Sequence, residues 1–216
     1  ITDYIPGSPY PYARLLRPAE VPGLSLDEVT LAELLKSNGY VTGHFGKWHI
    51  GPGAGGKRVS ERIPPASDYG IDEIKVLMSL KDRTKGRDDD TFEAAIDFIE
   101  RHKDGPFYVN VWAHITHFRV PSDTVFAEKF SDLQVDESLF GPYMKANKFD
   151  VCRDEWGVTV NDCMKNYLAD VWSLDLAVGR LLKKLDELGL SPLPLRVLGR
   201  QGLSLRISPR LQKRLL

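Results

Sequence analysis

Two short segments combine positive or titratable side chains with residues that follow a predicted strand. The first holds Lys47 and His49 in GKWHIG, and the second holds His114 and His117 in HITHF. Alternate side chains of an extended chain share one face, so the lysine and histidine of GKWHIG are expected on the same side. A fixed positive charge beside imidazoles suits an anion, and imidazole also transfers protons. The two segments therefore predict an anion site with acid–base capability.

The first segment follows a predicted helix and strand. Thr30 and Glu33 have the spacing of a capping box, in which each side chain bonds to the backbone N–H of the other residue. The Asn-Gly pair at 38–39 predicts the helix end, because glycine readily takes the left-handed conformation found there. A strand over 40–45 then leads into GKWHIG. In open α/β sheets ligands bind at the carboxyl edge of the strands, where this segment is expected.

The second segment follows the same order of elements. An apolar stripe at helical spacing predicts a helix over 91–102, capped by Asp89 or Asp90. The strand over 107–113 has bulky side chains on both faces, which is typical of a central strand covered by helices on both sides. Two such helix–strand units predict an α/β fold, with a mostly parallel central sheet between helices in three layers.

The stretch LAELLKSNGYVTGHFGKWHIG, residues 31–51, closely resembles the second signature of the sulfatase family. In that signature a helix, G-Y, a strand and G-K-W-H-x-G follow in this order, and the fold is that of the alkaline-phosphatase-like superfamily. YLADVWSLDLAVGRLLKKLDELGL, residues 167–190, also resembles sulfatases. Residues 121–160 are similar to the matching region of bacterial arylsulfatases close to the N-acetylgalactosamine-6-sulfatase type, and they look like an insertion over the substrate side.

The resemblance implies roles for individual residues. The lysine that matches Lys47 contacts the sulfate group in sulfatases, and the histidine that matches His49 hydrogen-bonds the hydrated formylglycine nucleophile. A further histidine at the end of the second strand approaches the sulfate and the leaving oxygen. His117 is the first candidate for that role and His114 the second, with two merely structural histidines as the alternative. The predicted catalytic residues are therefore Lys47, His49 and His117, and the predicted substrate contacts are Lys47, His117 and His114.

The activity that the resemblance implies is hydrolysis of sulfuric esters, either sulfated carbohydrates or aryl sulfates. Sulfatases use a calcium ion and a formylglycine made from cysteine or serine. The 216 residues contain no C-x-P-S-R nucleophile motif and no S-D-N-G motif, and the paired aspartates near the family's N-terminus have no counterpart. We therefore assign no metal ligand, and we expect an incomplete sheet and a fragment that is inactive as it stands.

Composition and charge argue against several other classes. A net charge of −1 does not favour nucleic acid or an anionic membrane as the main partner. No apolar run reaches the roughly 18 residues of a transmembrane helix. The expected partner is a sulfated small molecule or glycan, and the resemblance implies a periplasmic, secreted or lysosomal location. Cys152 and Cys163 make no disulfide framework, and two unpaired thiols are preferred over a pair.

Three alternative functions stay open. Residues 51–58, GPGAGGKR, match the G-x-x-x-x-G-K of a P-loop, but Arg58 replaces the magnesium-binding hydroxyl, and Pro64 and Pro65 interrupt the helix. That reading requires ATP binding that is lost in Lys57→Ala. A phosphatase or phosphodiesterase of the same superfamily would share the sheet, although G-K-W-H favours sulfatases. A non-catalytic module would bind sulfated glycans without turnover.

The longest helix is predicted over 162–188, where apolar residues recur at three- and four-residue steps. Asp175 interrupts its apolar face and is expected to need a buried partner. After residue 190 the resemblance ends, and 191–216 carry six basic residues and no acidic one. This tail either binds an acidic partner or, as we prefer, is a shifted or misjoined end that is poorly ordered. The expected division is a partial sulfatase catalytic domain over 1–190 and a basic tail over 191–216.

Overall fold

The computed structural model describes residues 23–48, 50, 65–76, 86–117, 126–190, 196–198 and 202–206. Within these ranges five strands form one sheet. They are β1 (Val41–Gly46), β2 (Glu73–Lys75), β3 (Phe107–Trp112), β4 (Arg196–Leu198) and β5 (Gly202–Arg206). Their order across the sheet is β2-β1-β3-β5-β4.

The centre of the sheet is parallel. Strand β1 pairs in parallel with β2 on one side and with β3 on the other, and its register with β3 runs from Val41 opposite Phe107 to Gly46 opposite Trp112. Strand β5 pairs antiparallel with β3 and with β4. Strands β4 and β5 fall within 191–216, whose other residues lie outside the described ranges, so a poorly ordered tail stays a prediction.

Helices and turns connect the strands. The helices are α1 (Leu31–Ser37), α2 (Asp89–His102), α3 (Pro142–Met144), α4 (Asp150–Asp154) and α5 (Val160–Glu187). A π-helical turn, Lys145–Phe149, joins α3 to α4, and 3₁₀ turns lie at Ala66–Tyr69, Ala127–Phe130 and Glu137–Leu139. Among the described residues no helix combines the length and apolar character needed to span a bilayer.

The predicted capping box at the start of α1 is confirmed. The Glu33 backbone N–H donates to Thr30 Oγ1 at 3.2 Å, and the Thr30 N–H donates to Glu33 Oε2 at 2.8 Å. The Thr30 hydroxyl also donates to the Tyr69 carbonyl at 2.9 Å. This local sequence signal therefore sets the helix start and also ties it to the segment that leads into β2.

Helices cover both faces of the sheet, which confirms the predicted α/β fold. On one face α2 and α5 pack over a large core that includes Phe45, Phe98, Val109 and Leu181. On the other face a smaller cluster lies beside α1. It consists of Ala32, Tyr40, Trp48, Tyr69, Ile71 and Tyr108. Because the residues of β1 and β3 are buried on both sides, both strands are central, as their bulky side chains predict.

The prediction for Asp175 was wrong. Asp175 is exposed, and the buried carboxylate of α5 belongs to Asp170, which is 2% exposed. The buried face of α5 also carries small residues such as Ser173, where a Cβ on Gly86 would lie only 2.7 Å from the Ser173 Cβ. Close approach of the backbone before α2 selects small side chains here, so the buried face does not follow the largest apolar residues.

The preference for two unpaired thiols was also wrong, because Cys152 and Cys163 form a disulfide bond. Cys152 lies in α4 and Cys163 in the first turns of α5, and the chain reverses between them so that their Cα atoms are 6.4 Å apart. Both cysteines are buried. The bond fastens the segment before α5 to that helix.

Candidate functional site

Strand β1 ends beside β3 through a glycine that no other residue can replace without strain. Gly46 has φ +102°, and a Cβ there would lie 2.1 Å from the Trp112 carbonyl oxygen. The backbone N–H of Lys47 donates to that same oxygen at 2.9 Å. Glycine therefore lets the two strand ends approach closely, and Lys47 emerges at the carboxyl edge of the parallel pair.

A buried histidine, His44, contacts the backbone carbonyl of Lys47. His44 is 1% exposed, its Nε2 lies 3.1 Å from the Lys47 carbonyl, and its ring meets Trp48 and Trp112 edge-on. Burial lowers the pKa of His44 to about 4, so the ring is neutral at neutral pH. Since its partner is a carbonyl oxygen, Nε2 carries the proton and donates. His44 is thus a structural residue of the site.

A carboxylate holds the turn that follows β3. Both oxygens of Asp88 accept from the His114 backbone N–H, at 2.9 and 2.8 Å, and Oδ2 also accepts from the Ile115 N–H at 2.7 Å. The His117 N–H then donates to the His114 carbonyl at 2.9 Å. Burial raises the pKa of Asp88, while these N–H donors act in the opposite direction. The turn carrying both histidines is therefore fixed by a residue at the start of α2.

The two imidazoles of this turn lie side by side. The rings of His114 and His117 stack with their centroids 5.2 Å apart. The pKa of His114 is lowered to about 4, first by burial and then by the positive charges of Arg87, His117 and Lys47. Its Nδ1 is buried and has no hydrogen-bond partner among the described residues. A neutral imidazole with one buried, unpartnered ring nitrogen thus lies in electropositive surroundings.

A buried ion pair underlies the same turn. Arg87 Nη1 lies 3.3 Å from Asp170 Oδ2 and 3.4 Å from the His117 carbonyl oxygen, and Arg87 is 7% exposed. Arg87 therefore connects α5 to the histidine turn and adds a positive charge. Sequence reasoning missed Arg87, Asp88 and Asp170. Two of them lie in a run of charged residues that looks like a solvated linker, and no local signal marks the third.

The structure brings three of the predicted site residues together and leaves one undescribed. Lys47, His114 and His117 lie at the same edge of the sheet. Beside burial, the positive charges of His117 and Lys47 help to lower the pKa of His114. His49 lies outside the described residues, as does the P-loop-like stretch 51–58. The catalytic and binding roles of all four residues stay predictions.

The described part of the chain provides no preformed set of ligands for a metal ion. No group of three or more His, Cys, Asp or Glu side chains is placed there to hold one. Asp88 and Asp170 are both committed, the first to backbone N–H groups and the second to Arg87. The described residues therefore do not fit the calcium ion that the resemblance implies.

Comparison with known proteins defines the class to which this geometry belongs. The family model described as Sulfatase matches residues 4–192, so the chain belongs to the sulfatase family. It is 29% identical over 187 residues to an ulvan-active sulfatase of Formosa agariphila, an alignment covering 78% of this chain and 34% of that protein. It is also 29% identical over 154 residues to human arylsulfatase A, covering 55% of this chain and 30% of that protein.

Shorter segments match more closely. Human arylsulfatase G is 64% identical over 31 residues, which is 14% of this chain and 6% of that protein. Bovine arylsulfatase A is 56% identical over 45 residues. The chain thus spans about a third of the length of the longer matches, 34% and 30%.

Proposed function

We propose that this chain forms the sulfate-binding part of a sulfuric ester hydrolase that acts on sulfated carbohydrates or aryl sulfates. The observation that supports it is the meeting of Lys47, Arg87, His114 and His117 at the carboxyl edge of β1 and β3. Positive charges that lower the pKa of His114 would equally stabilise a tetrahedral dianion beside it. Bound sulfate would offset those charges.

Each side chain then has a distinct role. Lys47 places a fixed positive charge against the sulfuryl oxygens. His114, neutral at neutral pH, lies beside the sulfate, and the bound anion stabilises the protonated form of its imidazole. His117, exposed at the mouth of the turn, gives a proton to the leaving oxygen as the S–O bond breaks. His49 is assigned to the nucleophile's hydroxyl on the resemblance alone.

Arg87 and Asp88 are positioning residues in this proposal. Asp88 holds the backbone of the histidine turn through three hydrogen bonds, and Arg87 contacts the His117 carbonyl from beneath. Neither side chain needs to touch substrate, since both act by fixing where the imidazoles lie. Asp170 neutralises part of the Arg87 charge.

The polypeptide of 216 residues is expected to bind sulfate without turnover. Both cysteines, which are potential formylglycine precursors, are joined in a disulfide. A chromogenic aryl sulfate incubated with the purified chain is therefore expected to release no phenol. Calcium-dependent release that is lost in Lys47→Ala would contradict this expectation and reveal a nucleophile within the chain.

The disulfide also bears on location. Disulfides form and persist in secreted, periplasmic and similar oxidising compartments, and they are rare in a reducing cytosol. The Cys152–Cys163 bond therefore supports a periplasmic, secreted or lysosomal location. Fractionation followed by alkylation of the cellular protein without reductant tests this, since a cytosolic protein with two reactive thiols would contradict it.

The proposed site is tested by following the imidazole of His114 with nuclear magnetic resonance. Sulfate is expected to raise the pKa of His114 from about 4, because a bound dianion stabilises the protonated ring. Lys47→Ala is expected to abolish the shift, whereas Lys183→Ala, which removes a lysine 78% exposed on α5, should leave it intact. Resonances that respond equally to chloride at matched ionic strength would overturn the proposal.

A non-catalytic binder of sulfated glycans is the second candidate, since Lys47, His114 and His117 lie at one edge of the sheet and could bind an anion without turnover. Both candidates predict anion binding at Lys47, but they differ in what the complete gene product does with the ligand. Titration of a sulfated disaccharide against the wild type and Lys47→Ala measures the shared step. Desulfation of that disaccharide by the full-length gene product then separates hydrolase from binder.

A further inference from the structure

A cavity of about 560 Å³ begins at the histidine turn and extends away from it. Thr116, which directly precedes His117, forms one wall, and the opposite walls come from the segment 140–167. Its volume lies within the roughly 300–1,000 Å³ of small-molecule sites. The cavity thus adjoins the proposed sulfate site without being part of it.

The lining of this cavity is almost entirely apolar. Among the described lining residues the polar groups are those of Thr116 and Lys148, the hydroxyl of Tyr167 and the indole N–H of Trp156, and the other side chains are aromatic, aliphatic or sulfur-containing. Phe149 and Trp156 supply large flat surfaces, while Met144 and Met164 supply adaptable ones. Such a lining favours a ligand with a ring or an alkyl group and few hydroxyls.

The walls are held by covalent and hydrogen bonds, so the cavity is preformed. The disulfide between Cys152 and Cys163 joins two of its lining residues. Phe140 and Phe149 meet edge-on with ring centroids 5.0 Å apart. The Val158 N–H donates to the Cys152 carbonyl at 3.0 Å, which closes the turn before α5. A preformed apolar pocket binds without the entropic cost of ordering its own walls.

We propose that this cavity takes the aromatic or other apolar group of a sulfate ester whose sulfate lies at Lys47, His114 and His117. The inference rests on the proposed function for the position of the sulfate, and it narrows the substrate from sulfate esters in general to aryl and similarly apolar ones. Thr116 lines the cavity and directly precedes His117, so the cavity borders the turn that carries the proposed proton donor.

The physical argument against a sugar in this cavity is the cost of buried hydroxyl groups. Each hydroxyl that is desolvated without a hydrogen-bond partner costs roughly 1–3 kcal/mol. A monosaccharide carries several, and among the described lining residues the side chains that can hydrogen-bond are few: Thr116, Lys148, Trp156 and Tyr167. An aryl group has no such demand and gains contact with the aromatic walls. The positive charge of Lys148 is compatible with an anionic ester.

The inference is tested with the full 216-residue chain and three ligands: 2-naphthyl sulfate, 2-naphthol and inorganic sulfate. Calorimetric titration is expected to show that the ester binds at least roughly tenfold more tightly than inorganic sulfate. Met164→Trp, which fills the cavity, should remove that gain and leave inorganic sulfate unaffected. Met164→Leu keeps apolar volume and serves as the matched control, with the gain retained.

The outcomes distinguish a failure of the cavity inference from a failure of the proposed sulfate site. If 2-naphthyl sulfate binds no more tightly than inorganic sulfate, and Met164→Trp changes neither, the inference is overturned while Lys47-dependent sulfate binding upholds the proposed function. If 2-naphthol binds and Met164→Trp blocks it, but no sulfate binding is found, the aromatic cavity stands and the proposed function falls. A sulfated monosaccharide that binds as tightly as the naphthyl ester and is equally weakened by Met164→Trp would overturn the preference for an apolar group.

A second variant guards against misfolding. Met144→Trp enters the cavity from α3 rather than from α5, and it should reproduce the loss of naphthyl sulfate affinity. Thermal unfolding of both tryptophan variants establishes whether they keep the fold. If both stay folded and both retain the full affinity for the naphthyl ester, the ring binds elsewhere and the inference is overturned.

Discussion

Both carboxylate oxygens of Asp88 accept a hydrogen bond from the backbone N–H of His114, at 2.9 and 2.8 Å, although the two residues are 26 positions apart in the sequence. Asp88 occupies the N-cap position of α2, yet its side chain makes no capping bond there. The sequence predicts Asp89 or Asp90 as the cap of this helix. The carboxylate instead serves the turn after β3, so the start of α2 and the histidine turn are coupled.

Removing this carboxylate should destabilise the protein. Asp88→Ala leaves the buried N–H groups of His114 and Ile115 without their acceptor, at an expected cost of roughly 3 kcal/mol in the free energy of unfolding. Asp90→Ala is the matched control, because Asp90 is exposed in the same helical turn and should cost under about 1 kcal/mol. Urea unfolding measures both changes, and equal losses for the two variants would contradict the assignment.

Stability should fall on acidification from pH 6.5 to pH 4, because His44 and His114 both have pKa values lowered to about 4. In the unfolded chain each titrates at its ordinary value of 6.5, so within this window the unfolded state binds protons that the folded state does not. The stabilisation is complete above pH 6.5 and is lost as the pH falls. For the buried His44 the loss at pH 4 approaches about 3 kcal/mol.

His44→Gln separates this effect from other groups. Glutamine keeps an amide donor for the Lys47 carbonyl but does not titrate, so the variant should lose less stability on acidification than the wild type. The raised pKa of Asp88 acts in the opposite direction in both proteins and cancels in the difference. Parallel pH slopes in urea unfolding would show that His44 is not buried as a neutral ring.

Reduction of the disulfide should also destabilise the fold. The bond between Cys152 and Cys163 closes a short loop, with a sequence separation of 11, and loops of this size are stabilised by roughly 2–3 kcal/mol. Dithiothreitol is therefore expected to lower the melting temperature of the wild type. The double variant Cys152→Ala/Cys163→Ala should have a melting temperature close to that of the reduced protein, and the reductant should not change it. Rapid alkylation of both thiols in unreduced protein would rule out the bond.

A single methyl group at the end of β1 should disturb the site. Gly46→Ala places a Cβ 2.1 Å from the Trp112 carbonyl oxygen, on a residue whose φ is +102°. The free energy of unfolding is therefore expected to fall by about 2 kcal/mol or more. Because the next N–H is that of Lys47, sulfate binding should weaken as well. Gly179→Ala is the control: Gly179 is an exposed helical glycine with open space, and alanine there should stabilise by about 1 kcal/mol. Matching effects of the two substitutions would refute the close approach.

Predictions that depend on local interactions hold well in the structure. The capping box at Thr30 and Glu33 forms with the expected partners, and the parallel strands lie over 41–46 and 107–112, close to the predicted 40–45 and 107–113. Helix α2 begins two residues earlier than predicted and ends at the predicted residue, His102. Helix caps, glycine stops and apolar periodicity depend on residues that are close together in the chain, so they can be recognised from the sequence.

Predictions that depend on which distant groups meet were less successful. The buried carboxylate of α5 is Asp170 rather than Asp175, because its partner Arg87 lies 83 residues earlier and no local pattern connects them. The pairing of Cys152 with Cys163 depends on a chain reversal between α4 and α5. The apolar cavity beside Thr116 likewise draws its walls from separate elements.

The amino-acid sequence by itself determined the family, the helix–strand units that contain β1 and β3, the long helix α5 and the position of Lys47 at a strand end, because signature and periodicity are encoded in adjacent residues. Only the tertiary structure decided that Arg87 and Asp88 support the turn of His114 and His117. Burial and long-range hydrogen bonding arise when segments far apart in the chain are packed together, and they give identical residue types different protonation and different roles.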